Sequence, residues 1–158
     1  MRILLVLIGA AVIFAVRSLR RYQIDHRSMT PTLQPGDYVV AARTRRPKRG
    51  DVVVTAHPTR AGLELVKRVV GLPHEHIAIT EEQIEIDGRT YRDVWAIGTT
   101  APQGSWQVGD ALFVLGDQRE LSVDDSRMLG PIPMSRDVWR VRFRYWPPTR
   151  IGTIAADP

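Results

Sequence analysis

Two patterns of apolar residues divide the chain. Ile3 to Val16, ILLVLIGAAVIFAV, is fourteen apolar or small residues without a polar interruption. Beyond Tyr22 the pattern changes to short β-branched and aromatic runs bounded by Gly, Pro and Asp. These are YVVAA after Asp37, VVVTA after Gly50 and Asp51, and LELVKRVV from Leu63 to Val70. IAIT and IEI follow, split by Glu81 to Gln83, then ALFVL before Gly116 and VWRVRFRYW before Pro147 and Pro148. Runs of this length between turn residues predict strands, and Asp87-Gly88 after IEI predicts a hairpin turn. The expected fold is all-β and mostly antiparallel, on an apolar N-terminal segment. Residues 1–21 form that segment and residues 22–158 the β domain. No repeat, low-complexity tract or second domain interrupts the pattern.

Fourteen helical residues span about 21 Å, short of a hydrocarbon core of about 30 Å. The span reaches Leu19 if Arg17 snorkels to the headgroups. A cleavable signal peptide has an apolar region of this length, but Ala15, Val16 and Arg17 do not make a small-x-small cleavage site. A buried helix is the third reading. A short N-terminal transmembrane helix is the expectation among these. Arg17, Arg20 and Arg21 follow the segment and only Arg2 precedes it. By the positive-inside rule this pattern points the C-terminal side to the cytoplasm.

Composition narrows the chemistry. With 44% hydrophobic residues the chain is able to bury a core, and its net charge is +5. The arginines are spread out and not interleaved with aromatics, which disfavours nucleic-acid binding and leaves a basic surface or attraction to an anionic membrane. The absence of cysteine removes disulfides, thiolate metal sites and a thiol nucleophile. His26, His57, His74 and His76 lack metal-ligand spacing, so neither a metal nor a cofactor is expected.

HRSMTPTLQPGDYVV, from His26, places Ser28 before a turn-rich stretch. A serine nucleophile needs a base. His57, His74 and His76 lie in loop-like stretches. His26 shares an extended face with Ser28, but no neighbouring carboxylate orients it. Lys67 alternates in phase with Leu63 and Leu65, which turns it to an apolar side. A strand lysine that snorkels to water is the ordinary reading. Burial is nevertheless what a lysine base requires, because an ordinary lysine is neutral only about once in 2,500 at pH 7. Serine–lysine pairs are a known form of nucleophile and base.

Four blocks in order resemble the bacterial type I signal peptidases, membrane-bound serine–lysine proteases. They are SMTPTLQPGD from Ser28, RGDVVV from Arg49, VKRVVGLP from Val66 and GDQRELSVDDSRMLGPIP from Gly116. Ser28 and Lys67 are thirty-nine residues apart in this order. The resemblance implies a signal-peptidase-like β-fold in which Ser28 is the nucleophile and Lys67 the general base. The Ser28 N–H would be one oxyanion donor. Asp117 and Ser122 would support the pair, with Arg68, Asp125 and Arg127 as an ionic cluster beneath. Ile24, Met29, Leu33 and Val66 would line shallow pockets for small side chains. The substrate would add as an extended strand beside the segments before Ser28 and Lys67. The implied partners are signal peptides of exported preproteins and the lipid bilayer. The implied location is the cell membrane, single-pass, with the catalytic domain on the extracytoplasmic side, opposite to the charge pattern.

The last block is one residue longer than the family pattern GDNxxxSxDSR. Counting from Asp117 the supporting serine is Ser122; counting back from Asp125 its place falls on Val123. Ser122 is the expected residue, with a bulge taking up the excess. His26 stands where the family often has a serine that donates a second oxyanion bond. Two other readings are a self-cleaving repressor, which lacks its DNA-binding domain here, and a membrane-anchored non-catalytic relative that binds signal-peptide-like strands.

Overall fold

A computed structural model describes residues 18–80, 83–134 and 138–154. The expected transmembrane helix falls on residues outside this set. Twelve strands run in chain order through the described residues: β1 Leu19–Gln23, β2 Tyr38–Arg43, β3 Val52–Ala56, β4 Glu64–Gly71, β5 His76–Thr80 and β6 Gln83–Ile86. β7 Arg89–Tyr91, β8 Gly104–Gln107, β9 Ala111–Leu115, β10 Ile132–Pro133, β11 Trp139–Trp146 and β12 Gly152–Thr153 complete them. One short helix, α1, spans Ser126–Leu129.

The larger sheet runs β1-β2-β11-β3-β4-β9-β10, with β12 beside β11. Every ladder in it is antiparallel. β3 and β9 read as unbroken apolar runs because both their faces are covered, leaving nearly every residue buried. The smaller sheet, β7-β6-β5-β8, closes on the Asp87-Gly88 turn. Both turn residues have positive φ, 50° and 75°, as a tight two-residue hairpin demands. This sheet shares a core with the larger one, where Ile77, Ile79 and Ile84 pack with Val70, Phe113 and Leu115.

Two details position the site. The strand pattern continues upstream of the expected domain boundary, because Leu19 to Arg21 belong to β1 and pair with Ala42 to Val40. Leu19 therefore heads a strand and does not extend an N-terminal helix. Between β1 and β2 the chain makes a long excursion, residues 24–37, closed at its base by Ile24 N–H to Asp37 O and Gly36 N–H to Ile24 O. Ile24, Met29 and Leu33 anchor that loop in a core with Val39, Val52, Val54, Trp139 and Val141.

Candidate active site

Ser28 sits in the turn at the head of this excursion, and Lys67 on β4 directly opposite Val53 of β3. The Lys67 Nζ lies 3.0 Å from the Ser28 Oγ. The residues are 5% and 8% exposed, so the contact is made out of water. Burial pushes the lysine below its usual pKa, and the guanidinium of Arg127 adds to the effect. The carboxylates of Asp125, Asp124 and Asp117 oppose it. The in-phase alternation with Leu65 thus leads to a buried amine, not a snorkelling one.

The pair borders a cleft of about 700 Å³. One wall is Gln23 to Met29, the second is Leu63 to Lys67 with Arg60, and the third is Leu121 to Asp124. β4 pairs with β3 from Glu64 to Arg68, but with β9 only from Arg68 onward. Its edge facing the cleft therefore carries no partner strand from Glu64 to Lys67. Across the cleft, the backbone groups of Asp25 and His26 make no hydrogen bond among the described residues, and neither does the Ser28 N–H.

Ile24, Met29 and Val66 line the cleft. Leu33, expected beside them, is not among its lining residues; it is fully buried in the core beneath the loop. His26 is exposed at the rim, with no hydrogen bond among the described residues.

The block from Gly116 supports the serine from behind. Gln118 N–H donates to the Ser28 carbonyl at 3.0 Å. Gly116 leaves no room for a side chain: a Cβ there would stand 2.4 Å from both Cβ and Oγ of Ser122 and 2.7 Å from the Ser28 carbonyl oxygen. Ser122 is 3% exposed and Val123 71%, so the inward serine is the one counted from Asp117. A 3-10 turn at Arg119–Leu121 precedes it, and Val123 bulges into solvent before the buried Asp125. The Ser122 hydroxyl donates to Asp125 Oδ2 at 2.6 Å; its orienting contact is with that carboxylate.

The charges expected as one cluster are held in two separate buried pairs. Arg68 clasps Asp117 through Nε and Nη2, both at 2.7 Å, and its Nη1 donates to Gly50 O. Arg127 donates to Asp125 through Nε and Nη2 at 3.0 and 2.9 Å. Arg127 also ties down the carbonyls of Arg119, Ser122 and Ala101.

Several contributors carry no sequence signal. The Thr32 hydroxyl donates to Asp117 at 2.5 Å, joining the serine loop to the support block. The Arg68 guanidinium lies 4.4 Å from the Trp95 ring centroid. Arg119 pairs with Asp93. Buried Asp37 accepts from Arg150 and Arg144, which also hold the carbonyls of Pro31 and Thr32.

The described residues thus form an antiparallel β domain in which a buried serine–lysine contact borders a cleft with an open strand edge. Comparison with known proteins supplies the family. The family described as signal peptidase, peptidase S26, matches residues 1–146. A signal peptidase I of Leptolyngbya laminosa is 30% identical over 172 residues, covering 96% of this chain and 82% of that protein. Subunit 1 of the human mitochondrial inner membrane protease is 31% identical over 136 residues, covering 83% and 72%. The crystal structure of a signal peptidase I from Enterococcus faecalis aligns with a TM-score of 0.49 at 24% identity, over 56% of this chain and 91% of that one. The chain belongs to the signal peptidase, peptidase S26 family, and it is a peptidase.

Proposed function

We propose that this chain is a membrane-anchored serine endopeptidase that removes N-terminal signal peptides from exported preproteins, with Ser28 as nucleophile and Lys67 as general base. The observation that supports this most directly is the buried 3.0 Å contact between Lys67 Nζ and Ser28 Oγ. Neutral Nζ takes the hydroxyl proton as Oγ adds to the scissile carbonyl. The new oxyanion receives the Ser28 N–H. The lysine then returns the proton to the leaving amine, the amide C–N bond breaks, and an acyl-serine remains. Water, deprotonated by the same amine, then adds to the acyl carbon; the bond from that carbon to Ser28 Oγ breaks, Nζ returns the proton to Oγ, and the product leaves as a carboxylic acid.

The cleft supports the choice of substrate. An extended peptide enters between the unpaired edge of β4 and the free backbone groups of Asp25 and His26, completing two ladders. Ile24, Met29 and Val66 line the cleft with apolar surface. These suit alanine-sized side chains at the positions one and three before the cut. Residues 3–16 supply attachment to the cell membrane, and the β domain faces the extracytoplasmic side.

The test is cleavage of a preprotein by the full chain in detergent. A mature-length band is expected from the wild type. Ser28→Ala and Lys67→Ala each lose at least about 10³-fold in kcat/KM. A Lys67→Ala variant that cuts as well as the wild type refutes the lysine base. An inactive wild type refutes the enzyme reading and leaves the strand-binding relative. Protease digestion of spheroplasts checks topology: the β domain is expected to be degraded in intact spheroplasts, and protection places it in the cytoplasm.

A further inference from the structure

Lys67, Asp124 and Arg60 line the same cleft, and the charges near the amine, Asp125, Asp124, Arg127 and Asp117, are not equally fixed. Asp117 and Asp125 each have a buried, bidentate arginine, Arg68 and Arg127. Asp124 is different. It lies on the cleft wall, its side chain 31% exposed, and its partner is Arg60 at 3.2 Å, whose side chain is 63% exposed. Arg60 comes from the β3–β4 connection, so this pair stitches the second wall of the cleft to the third. From the first wall Asp25, His26 and Arg27 face the same space, and Glu64 does so from β4 itself. Glu64 has its own ion pair, with Arg20 at 3.9 Å.

We propose that Asp124 and Arg60 are positioning residues of this site: their ion pair sets how much negative charge acts on the Lys67 amine, and so the pH at which the enzyme becomes active. The inference rests on Lys67 being the base. A carboxylate near the amine favours its protonated, inactive form, and a guanidinium seated on that carboxylate offsets the effect. The buried pairs fix their share of the field. The exposed pair is the adjustable part, because a solvent-facing ion pair is weak and exchanges readily with water and salt.

The experiment is the pH dependence of kcat/KM for an internally quenched signal-peptide substrate, measured on the full chain in detergent. Asp124→Asn moves the rising limb to lower pH, giving about a threefold higher rate than wild type at a pH on that limb. Arg60→Gln moves it to higher pH, with about a threefold lower rate there. Arg60→Lys keeps the wild-type midpoint. In the Asp124→Asn background the Arg60→Gln displacement shrinks, because Asp124 is what holds the exposed Arg60 guanidinium at the cleft wall. Superimposable profiles for wild type, Asp124→Asn and Arg60→Gln overturn the proposal. So does an Arg60→Gln displacement of full size in the Asp124→Asn background. Thermal melting of each variant, expected within a few degrees of wild type, shows that the profiles belong to folded protein. Both side chains are solvent-facing, and the second variant reads the effect independently if one fails to fold. If Lys67→Ala cleaves like wild type, the lysine base itself has failed. If Lys67 is required but the limbs coincide, only the role of this pair has failed.

Discussion

At the residue scale, Lys67 sets the terms on which the site exists. An amine taken out of water is stable as a base only because its charged form is penalised. Its folded pKa is lowered, so between that value and the ordinary lysine range the unfolded chain binds the extra proton. The contribution of Lys67 to stability therefore rises with pH through this window, and its penalty is greatest below the folded pKa. Lys67→Met should accordingly be inactive yet more stable than wild type at neutral pH. The gap should narrow as the pH is raised toward the ordinary lysine pKa, as followed by denaturant unfolding at several pH values. A gap that widens instead would mean that the lysine is charged in the fold. His26 is the opposite kind of residue. Exposed and unbonded among the described residues, it is expected to change kcat by less than about threefold when replaced by alanine. A loss near 10²-fold would make it an oxyanion donor. The family resemblance singled out Ser28 and Lys67; the in-phase alternation on the strand, being local, turned Lys67 to an apolar side but left a snorkelling lysine as the ordinary reading. Thr32, Asp93 and Trp95 escaped both, because their partners come from distant elements and nothing beside them in the chain marks them.

Element by element, the strands with apolar faces were legible and the polar ones were not. β3, β4, β9 and β11 lie where the β-branched runs place them. β1, with sequence LRRYQ, has no such pattern; it is a strand because β2 offers it a partner edge. β7, β10 and β12 are two or three residues long, and α1 is a single turn, too short for any periodicity to register. The link between elements that matters most is Asp117. From the end of β9 it binds Arg68 of β4 and Thr32 of the serine loop. Removing one partner of a buried pair leaves an uncompensated charge, so Asp117→Asn should destabilise by about 3 kcal/mol in urea unfolding. It should also lower kcat, since the loop that presents Ser28 loses its tie. A variant of unchanged stability would show that Arg68 finds enough elsewhere, in Gly50 O and the Trp95 ring.

For the molecule as a whole, the sheet is built with one strand's worth of space left open. Most of its ladder edges are occupied, but β4 from Glu64 to Lys67 borders the cleft unpaired, and Asp25 and His26 face it with free backbone groups. Such an edge invites pairing with any extended chain, and here the cleft walls limit which chain reaches it. If the substrate fills this space as a strand, its amides cannot all matter equally. In a strand the N–H groups point alternately to the two sides, so consecutive residues address different walls. Methylating single amide nitrogens of a peptide substrate, one position at a time before the cut, removes one donor each time. Both the β4 edge and the Asp25–His26 segment offer acceptors, so each methylation among the first few residues before the cut is costly. Farther from the cut, beyond the reach of either wall, it is not. The net value of one such hydrogen bond, about 0.5–1.5 kcal/mol, corresponds to about a twofold to tenfold loss in kcat/KM per position. A profile with no loss at any of these positions would mean that side chains alone hold the substrate, and that the open edge of β4 has another use.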